Sequence, residues 1–296
     1  MTKYLIVIAL LALGAVPREL AGQDSVRRVA VDDYLFAYVD RGEGPPIVLV
    51  HGVLTDYRTW TNQFEPLSQR YRIIAYSRRY HYPNPWVPGG PNYTYAQHVA
   101  DLASLIRTLR LQRVRLVGHS WGASVALLFA LQHPELVQSL VLAEPGLDSL
   151  ILDLTRRATA ASTLRDQYAQ ARAVYRDDDP IPALRTTLDA WFGKGWFDNQ
   201  PGELRERFLA NARTVVLAGT PQPAVSCKDL HGVRVPVLLI QGEFSDPEYH
   251  AIIDGISACL ASAERLTILG AAHSMHRTHA ADFNKALLTF FQSHPH

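Results

Sequence analysis

From residue 27 onward the chain alternates short apolar runs with longer stretches in which apolar residues recur every three or four positions. The short runs, at 28–32, 35–39, 47–50, 73–76, 114–118, 140–143, 237–241 and 266–269, have strand length and end in polar or turn-forming residues, so they predict β-strands. Several of the central runs are continuously hydrophobic, as strands of a parallel sheet covered on both faces are expected to be. The stretches at 57–68, 95–110, 121–132, 247–259 and 280–291 predict helices, and Val99, Leu102, Leu105, Ile106 and Leu109 mark the buried stripe of the second. Such alternation predicts an α/β fold, a mostly parallel eight-stranded sheet flanked by helices with right-handed crossovers.

The rhythm breaks between Pro145 and Arg234. About ninety residues there lack a clear strand and read as amphipathic helices at 160–175, 181–192 and 203–217, which predicts a helical cap inserted after the sixth strand. The expected division is a core of residues 23–145 and 235–296 with a cap of 146–234. Tyr168, Tyr175, Trp191, Trp196 and Phe197 are available to line an apolar pocket, although aromatic residues at helical spacing more often serve as packing. Asp177, Asp178 and Asp179 before Pro180 lack the glycine and distal glutamate of a calcium loop and read as a solvated turn capping the next helix.

Length and composition fit this picture: 296 residues, 48% hydrophobic and 19% charged, suffice for a sizeable core. A net charge of +1 with scattered basic residues argues against a nucleic-acid partner and for a small neutral or weakly charged one. At the start, Lys3, the uncharged apolar run 4–16 and the small residues Ala21 and Gly22 before Gln23 read as an export signal, residues 1–22, too short for a comfortable membrane span. The expected location is therefore secreted or periplasmic, with no membrane association after cleavage. In that setting Cys227 and Cys259, the only cysteines, are equally compatible with one disulfide or with two buried thiols.

The chemistry centres on Gly118-His119-Ser120-Trp121-Gly122, which joins a strand to a helix. Glycines flank a turn too sharp for a Cβ, and the serine hydroxyl is lifted to a helix N-terminus, where free N–H groups favour developing negative charge. The alternative role for Ser120 is a helix N-cap. A nucleophilic hydroxyl needs a base, and His273, in Gly270-Ala271-Ala272-His273 between the last strand and last helix, is the best candidate. His276 and His279 share its region and its spacing hints at a metal, but no acidic ligand or cysteine accompanies them.

With these motifs the chain resembles a serine-dependent α/β-hydrolase over nearly everything after the signal. It carries His51-Gly52 after the third strand, the Gly118–Gly122 elbow and Gly270-Ala271-Ala272-His273 near the end. The resemblance implies an oxyanion hole formed by the backbone N–H groups of Val53 and Trp121, a reading that the tight turn and helix start also support. It leaves the third catalytic member open. The commonest pattern places an aspartate three residues after the glycine ending the seventh strand, where this chain has Ser245, with Asp246 one place late. Some α/β-hydrolases take the acid from the end of the sixth strand, where Glu144 closes an otherwise apolar run that would not tolerate an unpartnered charge. Glu144 is therefore preferred over Asp246, with Glu243 and Asp148 as further carboxylates.

The loop after the fourth strand, Arg79-Tyr80-His81-Tyr82-Pro83-Asn84-Pro85-Trp86, replaces the family's glycines with aromatics and prolines. It is expected to be stiff, either near a pocket mouth or packed on a helix. Bulky aromatics such as Trp121 also follow the nucleophile in dehalogenase and epoxide-hydrolase relatives, but those use aspartate where this chain has Ser120. The expected function is hydrolysis of a carboxylic ester or lactone through an acyl-enzyme, without cofactor or metal. Carbon–carbon bond hydrolysis, amide hydrolysis and weak perhydrolase activity would use the same constellation, and a small-molecule-binding protein without turnover is the alternative from another class. Substrate identity and oligomeric state are not legible.

Overall fold

The structure is a computed structural model and describes residues 25–295; the expected export signal at 1–22 lies outside them. Eight strands form one sheet: β1 (Arg27–Val31), β2 (Tyr34–Arg41), β3 (Pro46–Val50), β4 (Arg72–Tyr76), β5 (Val114–His119), β6 (Val137–Ala143), β7 (Val237–Gly242) and β8 (Glu264–Ile268). Their spatial order is β1-β2-β4-β3-β5-β6-β7-β8. β2 runs antiparallel to both β1 and β4, and the other five pairings, from β4 to β8, are parallel.

Side chains alternate across the sheet with the period of two that strand geometry imposes. Val48, Val50, Ile74, Leu116, Leu140 and Leu239 face α2 (Tyr95–Thr108), α3 (Trp121–Gln132) and α8 (Pro247–Cys259). Ile47, Leu49, Ile73, Val117, Val141 and Ile240 face α1 (Thr61–Ser68) and α10 (Ala280–Ser293). Burial on both sides explains why these strands read as unbroken apolar runs. α3 is buried from Trp121 through Ala130, which explains its lack of any polar stripe.

Between β6 and β7 lie the cap helices α4 (Leu154–Val174), α5 (Ile181–Phe192) and α6 (Gly202–Ala210), followed by the short α7 (Cys227–Leu230). The helix expected at 203–217 is broken at Asn211. There the side-chain amide donates to Asp56 at 2.7 Å and to the Arg207 carbonyl at 2.9 Å while accepting from the Tyr82 amide at 2.9 Å, and only a short 3-10 turn, Ala212–Val216, follows. Asn211 thus trades helix continuation for an anchor between cap and core. Residues 57–68 similarly split into a 3-10 turn, Tyr57–Trp60, capped by Asp56, and α1. A further short helix, α9 (Met275–Thr278), precedes α10.

The cap has its own small core of Ala171, Ala183, Leu184, Leu188, Phe197 and Phe208, onto which Leu54 of the main domain packs. Among the described residues no helix is long and apolar enough to cross a membrane.

Cys227 and Cys259 are bonded, with Cα atoms 5.1 Å apart, so α7 is tied to the end of α8. The bond closes a loop of sequence separation 32. Closing a loop of that size stabilises by about 3–4 kcal/mol on the chain-entropy account. Reduction, or a Cys227→Ser/Cys259→Ser double variant, is expected to lower the thermal midpoint by roughly 6–10 °C, measurable by differential scanning calorimetry with and without reductant.

Candidate active site

Ser120 occupies the sharp turn between β5 and α3 with φ 55° and ψ −128°, a left-handed conformation rare for a residue with a side chain. A Cβ on Gly118 would run into Ala123, and one on Gly122 into the carbonyls of Val50 and His51, so both glycines are required by close approach. The Ser120 amide donates to the Ala143 carbonyl at 2.8 Å, which ties the turn to the end of β6. Its hydroxyl makes no cap bond to the helix, so the N-cap role is not used.

One residue beyond Ala143, Glu144 also has positive φ, 49°, and is wholly buried. Its Oε2 lies 2.6 Å from His273 Nδ1, and its Oε1 accepts from the Gly242 amide at 2.7 Å. Both carboxylate oxygens are therefore engaged, one of them by the imidazole. The loop carrying His273 is held against the elbow: the His119 ring bonds the His273 carbonyl through Nε2 at 2.7 Å, and the two rings are 4.6 Å apart.

The other carboxylates lie elsewhere. Asp246 is exposed and caps α8 by accepting from the Glu248 amide at 3.1 Å. It is not brought to His273, because its carboxylate is turned to the helix start. Glu243 accepts from the Gly270 amide, also at the surface. Asp148 faces Gln222, and burial raises its pKa. His276 is buried, bonds Thr59 at 2.8 Å and packs on Trp60, while His279 stands next to Thr278 at the start of α10.

Val53 follows the His51-Gly52 turn leaving β3, and Trp121 opens α3. Among the described residues neither backbone N–H donates to a carbonyl in the turns and loops. The loop at 79–86 is built inward. Arg79 makes a two-pronged bond to Asp101 at 2.9 and 2.7 Å, Tyr80 packs on Tyr34, Trp86 and Tyr93, and Asn84 bonds the Ala37 amide and the carbonyls of Ser77 and Arg78. Apart from the exposed Tyr82, its rings serve packing, and it is joined to the cap through the Tyr82 amide on Asn211 and through Arg213, which lies over the Trp86 ring.

Three residues beside the site were not singled out by sequence. Tyr249, on the first turn of α8, stacks on His273 with ring centroids 4.2 Å apart and planes 10° from parallel, and its hydroxyl lies near Ser120. Burial, reinforced by the charge of Glu144, pushes this phenol's pKa up, so it remains a proton-bearing donor. The others are His119 and the fully buried Arg78, whose bonds run to the His51-Gly52 turn. Only the doubled arginine after β4, against a single nearby acid on α2, signals Arg78 in the sequence.

Of the five cap aromatics, Trp191, Trp196 and Phe197 pack within the cap and Tyr175 lies against its core. Tyr168 is buried at the boundary, where Tyr249 and Tyr93 reinforce the effect of burial in raising its pKa. A separate small cleft under α6 is lined by Leu54, Thr55, Asp56, Arg207, Phe208 and Arg277 among others, and contains none of Ser120, His273 and Glu144.

Comparison with known proteins agrees on the fold family. The family described as alpha/beta hydrolase fold matches residues 45–280. The 2-(acetamidomethylene)succinate hydrolase of Mesorhizobium japonicum is 27% identical over 271 residues, covering 90% of this chain and 95% of that one. Among solved structures, a bromoperoxidase from Bacillus anthracis superposes with a TM-score of 0.72 at 23% identity, covering 90% of this chain and all of the other. An enol-lactonase from Burkholderia xenovorans LB400 gives 0.68 at 20% identity, with 90% and 100% covered.

Proposed function

The chain belongs to the alpha/beta hydrolase fold family, and from that premise we propose that it is a serine hydrolase cleaving a small carboxylic ester or lactone through an acyl-enzyme. Ser120 Oγ attacks the carbonyl carbon while His273 takes its proton. The Glu144 carboxylate, bonded to Nδ1 at 2.6 Å, leaves Nε2 as the basic nitrogen and stabilises the imidazolium that forms. The oxyanion is held by the amides of Val53 and Trp121, the latter at the positive end of α3. The imidazolium returns its proton to the leaving alcohol, and water, activated by the same imidazole, releases the acid.

The observation carrying this reading is the pairing of His273 with a fully buried glutamate beside a serine on a left-handed turn. A buried carboxylate is costly without a strong partner, so the arrangement favours a site in which positive charge appears on the imidazole. Export to an oxidising compartment is part of the proposal, supported by the Cys227–Cys259 bond together with the character of residues 1–22.

The test is incubation with p-nitrophenyl butyrate, a panel of lactones and a fluorophosphonate. Turnover with covalent labelling at Ser120, located by mass spectrometry, is expected. Labelling at Ser120 with products only from amides or from ketone-bearing carbon–carbon substrates would replace the ester reading. Ligand-induced thermal shift with neither labelling nor turnover would replace the enzyme with a binder.

A further inference from the structure

We infer that Arg78 is the positioning residue of the oxyanion site, fixing and polarising the peptide that presents the Val53 N–H and holding a positive charge, bonded to no carboxylate among the described residues, beside that peptide and the Trp121 ring. This rests on the serine-hydrolase reading above.

Gly52 C=O and Val53 N–H belong to one trans amide and point in opposite directions. Whatever grips the carbonyl therefore aims the N–H. The Gly52 carbonyl accepts three bonds: from Arg78 Nη2 at 2.8 Å, His51 Nδ1 at 2.8 Å and Thr55 Oγ1 at 3.1 Å. The histidine's role is unambiguous, since its Nε2 accepts from the Arg78 backbone amide at 2.8 Å, which leaves the proton on Nδ1. Three donors on one carbonyl, one of them charged, draw electron density through the amide and make its N–H a stronger donor.

Arg78 grips the neighbouring peptide as well, donating from Nε to the His51 carbonyl at 3.0 Å. This is a carbonyl on which Gly122 packs, so the same bond sets where the start of α3 rests. On the other side the guanidinium lies 4.4 Å from the ring of Trp121, the second proposed oxyanion residue. Its remaining contact is the Tyr93 hydroxyl at 3.1 Å.

Among the described residues the acceptors of the guanidinium, two backbone carbonyls and the Tyr93 hydroxyl, are all neutral. The residue is fully buried, and the buried carboxylates Asp101 and Asp56 are taken by other arginines, Arg79 and Arg58. A guanidinium stays charged in proteins, and burying one without a counter-ion is expensive. The negative charge that would balance it arises only when substrate oxygen becomes an oxyanion. His51, His81 and His98 around it are held neutral by burial and then by the Arg78 charge itself, so no second cation shares the position.

The test compares wild type with Arg78→Met and Arg78→Lys using p-nitrophenyl butyrate turnover and inhibition by phenylboronic acid, whose serine adduct is a tetrahedral anion. Loss of the guanidinium's grip in the methionine variant is expected to lower kcat about 100-fold, comparable to removing one oxyanion donor. KM should stay within about threefold, and boronate affinity should fall in parallel with kcat, because the ground state carries no oxyanion. Lysine, with charge but no fork, should fall between. A purely structural role would lower thermal stability while leaving kcat and boronate affinity near wild type in the folded fraction, and that result overturns the inference. If neither variant folds, Thr55→Ala decides: a drop of about three- to fivefold in kcat at constant KM supports it, and no change overturns it. Wild type that neither turns over nor labels at Ser120 sinks the hydrolase reading and this inference together, whereas active wild type with an unaffected Arg78→Met sinks this inference alone.

Discussion

Glu144→Gln is expected to lower kcat for p-nitrophenyl butyrate by about three to four powers of ten, whereas Asp246→Asn should change it by less than about threefold. The asymmetry follows from what each carboxylate touches. Glu144 accepts from two donors at once, the Gly242 amide and His273 Nδ1. A glutamine there has one oxygen for two N–H groups, and its own NH2 must face one of them. If it faces the imidazole, the ring is driven to the tautomer with its proton on Nε2, where it cannot act as base toward Ser120. Asp246 loses only a cap on α8, a fraction of a helix's stability. Ser120→Ala, run alongside, should fall further, by about six powers of ten. Equal losses in the Glu144 and Asp246 variants, or a loss confined to Asp246→Asn, would remove Glu144 from the proposed triad.

The sheet and its order of elements were legible because burial on both faces leaves a plain mark: runs such as 47–50 and 237–241 have no polar position to interrupt them until the last residue of the second. Helices were equally readable: 247–259, with one buried stripe, coincides with α8, and the wholly apolar 121–132 coincides with the buried α3. What failed to show was decided by side chains meeting across long separations. Asn211 breaks a helix through bonds to Asp56 and Tyr82, 155 and 129 residues away. Local pattern carries no trace of such partners.

The candidate site divides the same way. Ser120 and His273 sit in motifs defined by their immediate neighbours, and a glutamate at the end of an apolar strand announces itself by its cost. Sequence preferred Glu144 over Asp246 without deciding between them, because the choice depends on where a loop turns a carboxylate. His119 and Tyr249 left no mark, and Arg78 only the doubled arginine after β4, for a related reason. Each acts by packing against another element, as Tyr249 does on His273, and their residue types are common on the surface as well as inside.

Stability is expected to collapse as pH falls from 7 to about 5.5. His51, His81, His98, His119 and His276 are all buried, and burial, the largest cause in each, holds their pKa values well below the ordinary 6.5. The charge of Arg78 adds to it for the first three, and the neighbouring imidazoles of His276 and His273 disfavour a further positive charge on His119. In the unfolded chain these imidazoles titrate normally and take up protons below about 6.5, while in the folded chain they stay neutral. The unfolded state thus binds more protons, so the stabilisation is fully present above the unfolded pKa and is lost as pH drops. Each histidine contributes about 1.4 kcal/mol per pH unit once well below 6.5, and five acting together remove about 6 kcal/mol between pH 7 and 5.5. That is comparable to the whole stability of an ordinary domain. Urea denaturation at half-unit pH intervals should show the loss, with a limiting slope approaching five protons. His98→Phe offers a control, because His98 Nε2 has no hydrogen-bond partner among the described residues and its ring lies among Tyr93 and Trp121. That variant should reduce the slope by about one proton and move the acid midpoint downward. A stability profile flat across this range would mean that the buried imidazoles accept protons without unfolding, and burial could then no longer be what keeps them neutral.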